Sequence, residues 1–312
     1  MPKVSYSSQG ATVGRPPVPP SGGSPADPHR LVSNARVRAA DQRSRTPLRG
    51  RGEPEQVPGD GTTETGPLDA WAASYLGQAK LHDLKSAPRL QTAIAGLQRR
   101  CVVQTDDYPW CSVCSLVITD ENSEVWVGSG WLAGPRTVIT AGHCVYLHDA
   151  LQWARQVEVF PGRNGESNQR GYVSTDLHSV AGWTQGRKEE FDYGAVILRE
   201  PITLLRPFDY RPLADGELTS LQCVNLFGYP GEKARGTMWG YWGRVIEVRP
   251  QRLGYRISTS GGQSGGPVWV KEGGDRYVVG IHNYGGSGAI NYGTRLTPAV
   301  QHNIRTWLTS NP

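Results

Sequence analysis

Ile257-Ser258-Thr259-Ser260-Gly261-Gly262-Gln263-Ser264-Gly265-Gly266-Pro267-Val268 reads as a tight turn with one hydroxyl at its tip, feeding the apolar run Pro267-Val268-Trp269-Val270. Glycines cost conformational entropy, so a chain gathers four of them around a serine where backbone must take positive φ or approach another group closely. Acyl transfer needs both. The Ser264 hydroxyl would attack a carbonyl while the backbone N–H groups of Gly262 and Ser264 face the oxygen that becomes negative. A glycine-rich β-turn with an incidental serine is the competing reading, and a base and an orienting acid elsewhere in the chain decide between the two.

Both are present. Thr140-Ala141-Gly142-His143-Cys144 follows the apolar strand Thr137-Val138-Ile139, and Phe191-Asp192-Tyr193-Gly194-Ala195-Val196-Ile197-Leu198 carries an aspartate at the head of another. Read singly, His143 is a core histidine beside a buried cysteine and Asp192 a strand-start turn residue. Read with the serine motif, His143 is the base and Asp192 the group that orients it. The chain order His143, Asp192, Ser264 and the three motifs together resemble the signatures of chymotrypsin-like serine proteases. That resemblance implies an all-β fold of two antiparallel six-stranded β-barrels, with His143 and Asp192 on the first and Ser264 on the second.

The chain has 312 residues, a net charge of +5 and no apolar run long enough to span a membrane. Met1 to Ser8 lack the apolar core of a secretory signal; another export route, a different gene start or an intracellular protein all fit. Residues 1–67 are rich in Pro, Gly, Ser and Arg and bury too little apolar surface to fold, so a disordered tail is expected. The basic run Arg30, Arg36, Arg38, Arg43, Arg45, Arg49 and Arg51 reads as a solvated tail, with nucleic acid or an acidic membrane surface as the other reading. Leu68, Trp71, Tyr75 and Leu76 recur at near-helical spacing, and a second stretch, Ala87 to Leu97, places Leu90, Ile94 and Leu97 on one face, which predicts a short helical pro-segment or linker over residues 68–93.

Residues 94–312 form the expected protease domain. Val113 to Thr119 and Glu124 to Leu132 flank Asp120-Glu121-Asn122-Ser123 as a hairpin, and Val157 to Phe160 and the strand headed by Asp192 complete a first barrel. Leu221 to Tyr229, Gly236 to Val248, Tyr255 to Ser258, Pro267 to Val270 and Tyr277 to His282 supply the second. The one clear helix is terminal: Thr297 caps it, Pro298 starts it, and Val300, Ile304 and Leu308 line one face. His148, His178 and His302 sit in no comparable context and read as surface residues.

The resemblance places the primary specificity pocket at Ser258-Thr259-Ser260 and Gly280-Ile281-His282-Asn283-Tyr284-Gly285. Ser258 stands where a trypsin-like enzyme carries aspartate, so a cationic side chain finds no counter-charge. Thr259 and His282 can donate hydrogen bonds to a carboxylate, a pair similar to that of the glutamyl endopeptidase branch, which cleaves after glutamate; a buried strand histidine bonded to backbone is the other reading of His282. Gly228-Tyr229-Pro230-Gly231, Gly236-Thr237-Met238-Trp239 and Gly293-Thr294-Arg295 resemble the same branch, and the likeness covers about Ile94 to Leu308. By that resemblance Ile94-Ala95-Gly96, ahead of Tyr108-Pro109, marks a mature start after Ala93, with cleavage after Arg99 or Arg100 as the rival.

Five cysteines leave one over if the others pair. By the resemblance Cys144 bridges to the preceding barrel strand, where Cys114 is the best candidate, leaving Cys101, Cys111 and Cys223 for one more bridge. Disulfides favour an oxidising compartment, and the family implies secretion. No Cys/His spacing suggests a zinc site. The expected activity is a cofactor-free, monomeric serine endopeptidase that prefers Glu or Asp at P1, with no specific nucleic-acid partner. A catalytically silent protease-like binding module, a serine protease with a different P1 preference and a serine hydrolase of small esters remain alternatives.

Overall fold

The computed structural model describes residues 27–34, 53–56, 79–80, 91–92, 99–148, 151–166, 171–285 and 290–311. Within them the chain folds into two large sheets. The first runs Leu31–Ser33, Asp176–Val180, Gly194–Ile197, Thr137–Thr140, Val125–Leu132, Val113–Thr119, Gln156–Pro161, Tyr172–Ser174, with Ala79–Lys80 against Val125–Leu132. The second runs Val245–Val248, Arg252–Tyr255, Asn291–Arg295, Asp275–Gly285, Pro267–Glu272, Val224–Gly228, Met238–Gly243, Arg100–Val102, with Asp209–Tyr210 added in parallel to Asp275–Gly285. Nine strands in each sheet replace the six expected per barrel, because short flanking segments, several of them from the front of the chain, extend the sheets.

The expected hairpin forms in the register Val113↔Trp131 to Thr119↔Val125. Its turn is closed by Asp120, whose carboxylate accepts from Asn122 N at 2.9 Å and Glu124 N at 2.8 Å, the local bonding that suits Asp to turns. In Val113–Thr119 Leu116 and Ile118 are fully buried. Between the sheets lies an aromatic core that includes Trp110, Trp131, Phe208, Phe227 and Trp269, with Trp110 and Phe227 edge to face at 4.7 Å between centroids. Each such side chain removes ~150–250 Å² from water, on the order of 4–6 kcal/mol at ~25 cal/mol per Å².

The terminal helix spans Pro298–Ser310; the Thr297 side chain accepts from Val300 N at 3.3 Å, and Val300, Asn303, Ile304 and Trp307 are buried. Two short helices that the sequence pattern did not reveal occupy Ala181–Thr184 and Asp215–Ser220.

Two pieces of the expected disordered tail, residues 27–34 and 53–56, are described, and both pair with the body of the fold. Leu31–Ser33 pairs with Asp176–Val180, and Asn34 bonds the same strand, its Oδ1 accepting from Leu177 N at 2.9 Å. Glu53 bridges to Lys271, and the buried Glu55 carboxylate accepts from Arg276 Nε at 2.7 Å and Nη2 at 2.6 Å. Arg30 of the basic run bonds Gln185 at 3.1 Å; Arg36, Arg38, Arg43, Arg45, Arg49 and Arg51 lie outside the described residues. In the expected pro-segment, Ala79–Lys80 and Gln91–Thr92 are strands rather than helix, paired with Trp126–Val127 and Thr259–Ser260. Leu68, Trp71, Tyr75, Leu76 and the Ile94-Ala95-Gly96 start lie outside the described residues.

Candidate active site

Strand pairing brings His143 and Asp192 together. Thr137–Thr140 leads into the single turn Gly142–Cys144, and the adjacent strand Gly194–Ile197 begins two residues after Asp192, with Gly194 opposite Thr140. Asp192 Oδ2 then lies 2.7 Å from His143 Nδ1, and Asp192 Oδ1 accepts from the His143 backbone N–H at 2.8 Å. Gly142 has to lack a Cβ here: one would lie 2.7 Å from Trp183 and 2.9 Å from Asp192 Oδ1. Both partners are fully buried. Burial opposes a charged imidazole, but the Asp192 carboxylate and its hydrogen bond, with Cys144, outweigh it and raise the His143 pKa above the usual histidine range.

Ser264 sits on the turn between Thr259–Ser260 and Pro267–Glu272, is 2% exposed, and donates to Asn283 O at 3.0 Å. Gly262 has φ +100°, and a Cβ there would meet Tyr229 O at 2.6 Å and Gly231 N at 2.8 Å. Gly265 has φ +86° and backs onto Ser129 O and Thr140 Oγ1. The Gly261 carbonyl is held by Gly231 N at 2.8 Å and the Gln263 carbonyl by Gly266 N at 3.0 Å. Because a trans peptide carries its N–H opposite its C=O, the N–H groups of Gly262 and Ser264 are turned away from those two donors.

One residue that sequence reasoning passed over ties the two sheets together at this point. Ser129, on Val125–Leu132 of the first sheet, donates from N to Ser264 O at 2.8 Å and from Oγ to Gly262 O at 2.8 Å, while Oγ accepts from Tyr229 N at 2.8 Å. The signal was its place between Gly128 and Gly130 inside a strand, a pattern of close backbone approach.

A model of the trypsin-like peptidase domain matches residues 128–281. The glutamyl endopeptidase of Bacillus licheniformis is 32% identical over 77% of this chain and 79% of its own length. The chain belongs to the chymotrypsin-like serine proteases, in the glutamyl endopeptidase branch. An extracellular metalloprotease of Bacillus subtilis is 33% identical to this serine protease over 90% of the chain and 88% of the relative. Among the described residues no three His, Cys, Asp or Glu side chains converge as a metal site would require. The solved structure of a Glu endopeptidase in complex with MPD aligns at TM-score 0.59 and 26% identity over 66% of this chain and 94% of its own, and the protease Anisep of Arthrobacter nicotinovorans shares the fold at TM-score 0.53 and 18% identity, over 64% of this chain and 95% of its own. As a family member the protein is a serine-type endopeptidase acting on peptide or protein substrates.

The protease's remaining expected residues fall as follows. Ser258 and Thr259 are buried, and Thr259 Oγ1 accepts from Asn291 Nδ2 at 2.9 Å, a partner too distant in sequence to be read locally. His282 lies on Asp275–Gly285 with Nδ1 2.6 Å from Tyr255 OH, and it bonds the Tyr292 backbone. Burial, then the charge of His143, push its pKa down to about 3, against the smaller pull of that backbone bond, so it is neutral. The Asn283 side chain is bonded at both ends: Nδ2 donates to Asp192 O at 2.5 Å, and Oδ1 accepts from Thr294 N at 2.5 Å. Tyr193 is likewise pinned, its hydroxyl accepting from Asn303 Nδ2 of the terminal helix at 2.8 Å.

Two expectations are corrected. His148 and His178 are buried, not on the surface: His148 Nε2 is 2.7 Å from Trp183 O and His178 Nε2 is 2.8 Å from Asp176 Oδ1, so the strand and turn that hold them bring polar partners inside. His302 is exposed. The five cysteines are buried, and none of the expected bridges is formed among them. Cys114 Sγ donates to Ser112 O and Cys144 Sγ to Ser264 O, both at 3.8 Å, so the pair expected to be bridged is directed to separate backbone carbonyls.

Proposed function

We propose that His143, Asp192 and Ser264 form the catalytic triad, with the N–H groups of Gly262 and Ser264 as the oxyanion hole. The doubly bonded His143–Asp192 pair carries this reading. In the reaction the Ser264 hydroxyl swings from Asn283 O toward His143 and attacks the scissile carbonyl. His143 takes the hydroxyl proton at Nε2, the peptide oxygen becomes an oxyanion between the two N–H groups, and His143 returns the proton to the leaving amine. Water repeats the cycle on the acyl-enzyme. Asp192 keeps the Nδ1–H tautomer and stabilises the imidazolium.

The P1 side chain is read as glutamate, or aspartate. What supports this is the absence of a carboxylate at Ser258, the Thr259 hydroxyl and the neutral His282 imidazole in the two stretches read as the pocket, and relatives named for glutamyl specificity. Tyr255 holds the His282 ring, and a carboxylate brought beside it would favour its protonation. The enzyme acts as a monomer outside the cytoplasm, a placement suggested by the relative named as extracellular; among the described residues no helix is long and apolar enough to cross a membrane. Release of residues 1–93 by a cut after Ala93 fits better than a cut after Arg99 or Arg100, since Arg99 is fully buried and Arg100–Val102 is a paired strand.

Hydrolysis of a peptide library varied at P1, by the wild-type chain and by Ser264→Ala, tests the reading. Cleavage after Glu that disappears in Ser264→Ala is expected. Cleavage after other residues would remove the pocket assignment, and equal cleavage by the two chains would remove the triad.

A further inference from the structure

Beneath the nucleophile turn lies a charge that the proposed triad does not use. Arg99, just ahead of the strand Arg100–Val102, is fully buried. Its Nη1 donates to Ser260 Oγ at 2.9 Å and to Gln263 Oε1 at 3.3 Å, and its Nη2 donates to Glu232 Oε1 at 2.7 Å. Ser260 Oγ in turn donates to Glu232 Oε2 at 2.6 Å. Gln263 Oε1 also accepts from Ser260 N at 3.0 Å, and its Nε2 donates to Trp239 O at 3.0 Å. The network therefore grips Ser260 and Gln263, the residues on either side of Gly261-Gly262, from below.

Gly261 and Gly262 are free of side-chain restraint and Gly262 sits at positive φ, so the turn needs outside bonds to hold one shape. Gln263, between the two N–H groups read as the oxyanion hole, is neutral and fully buried, and its amide oxygen is fixed by Arg99 together with Ser260 N. Burying an ion pair such as Arg99–Glu232 is seldom a net gain in stability over an apolar pair. Its value here is geometric: a planar guanidinium can hold three oxygens at set angles where a lysine ammonium cannot.

We propose that Arg99 is a positioning residue of the oxyanion turn, so that the active enzyme retains Arg99 and its processed N-terminus lies at or before it. This rests on the triad reading above. A displacement of about 1 Å of a catalytic group can cost on the order of 10²-fold in rate, and the network supplies that order of constraint without touching substrate.

The test uses the full chain and compares wild type, Arg99→Met, Arg99→Lys and Gln263→Met for kcat, KM, fluorophosphonate labelling of Ser264 and thermal midpoint, with N-terminal sequencing of the active species. Expected are a kcat lowered by about 10²-fold in Arg99→Met with KM nearly unchanged, slower labelling, partial rescue by Arg99→Lys, and Arg99 present in the sequenced enzyme. A folded Arg99→Met with wild-type kcat, or an active enzyme that begins after Arg99, overturns the proposal. If Arg99→Met does not fold, Gln263→Met decides, since it keeps the Arg99–Glu232 pair: lowered kcat at unchanged KM supports the role and unchanged kcat overturns it. A wild type that never cleaves, or a Ser264→Ala chain that cleaves equally, removes the triad reading and the proposal with it; a normal wild type beside an equally active Arg99→Met removes the proposal alone.

Discussion

Asp192 accepts from His143 twice, once from the ring and once from the backbone of the same residue, so the acid fixes both the tautomer and the position of the turn that carries the base. Asp192→Asn would set an amide against the ring while leaving the fold intact. Steady-state kinetics should show kcat down by about 10⁴-fold, the size associated with a wrong tautomer in this type of triad. A loss under tenfold would mean that Asp192 does not orient the base.

The raised His143 pKa predicts a pH profile. The base must be neutral to act, so kcat/KM should climb with pH through a midpoint above the ordinary histidine value of about 6.5. The same shift acts on stability. The raised folded-state pKa favours the native state fully below about pH 6.5, and that gain is lost as pH rises through the folded value. In Asp192→Asn the midpoint should fall, which a pH series of kcat/KM on both chains would show.

His282 has the opposite sign. With its pKa pushed down to about 3, it stays neutral in the fold while the unfolded chain takes up a proton below about 6.5. Its contribution is intact above that value and is lost as pH falls toward 3. Urea midpoints measured at neutral and at acid pH should fall less in His282→Gln than in wild type, and the variant should also lose preference for Glu over Gln at P1.

Gly262→Ala puts a methyl against Tyr229 O and Gly231 N at a backbone angle that side chains resist. The turn has to shift, and kcat should drop by about 10²–10³-fold, as for loss of an oxyanion donor, with a smaller change in KM. A normal kcat in a folded Gly262→Ala would show that the Gly262 N–H does not face the reacting oxygen.

The lack of bridges among the cysteines makes a simple forecast. Denatured, unreduced protein should titrate with five thiols, and dithiothreitol should leave the thermal midpoint where it was.

Much of this was legible because local pattern and tertiary role coincide. The hairpin around Asp120, the apolar strands beside His143 and Asp192, the glycines around Ser264 and the capped terminal helix each announce themselves within a dozen residues. What was missed depends on partners far along the chain. Ser129 meets Ser264, Asn291 meets Thr259 and Arg99 meets Gln263 across more than thirty residues each, and no periodicity encodes such meetings. The short helix Asp215–Ser220 escaped because it starts without a Ser, Thr or Asp at its cap: the Glu217 carboxylate instead accepts from Ala214 N at 2.8 Å, and so short a helix draws its stability from packing rather than propensity.

The three-residue strand Leu31–Ser33 lies along Asp176–Val180, at the end of the first sheet. Strip it away and a row of backbone donors and acceptors opens to any passing chain, the starting condition for edge-to-edge aggregation. Release of residues 1–93, as proposed above, would leave Asp176–Val180 as the outer strand of that sheet with its hydrogen-bonding edge uncovered.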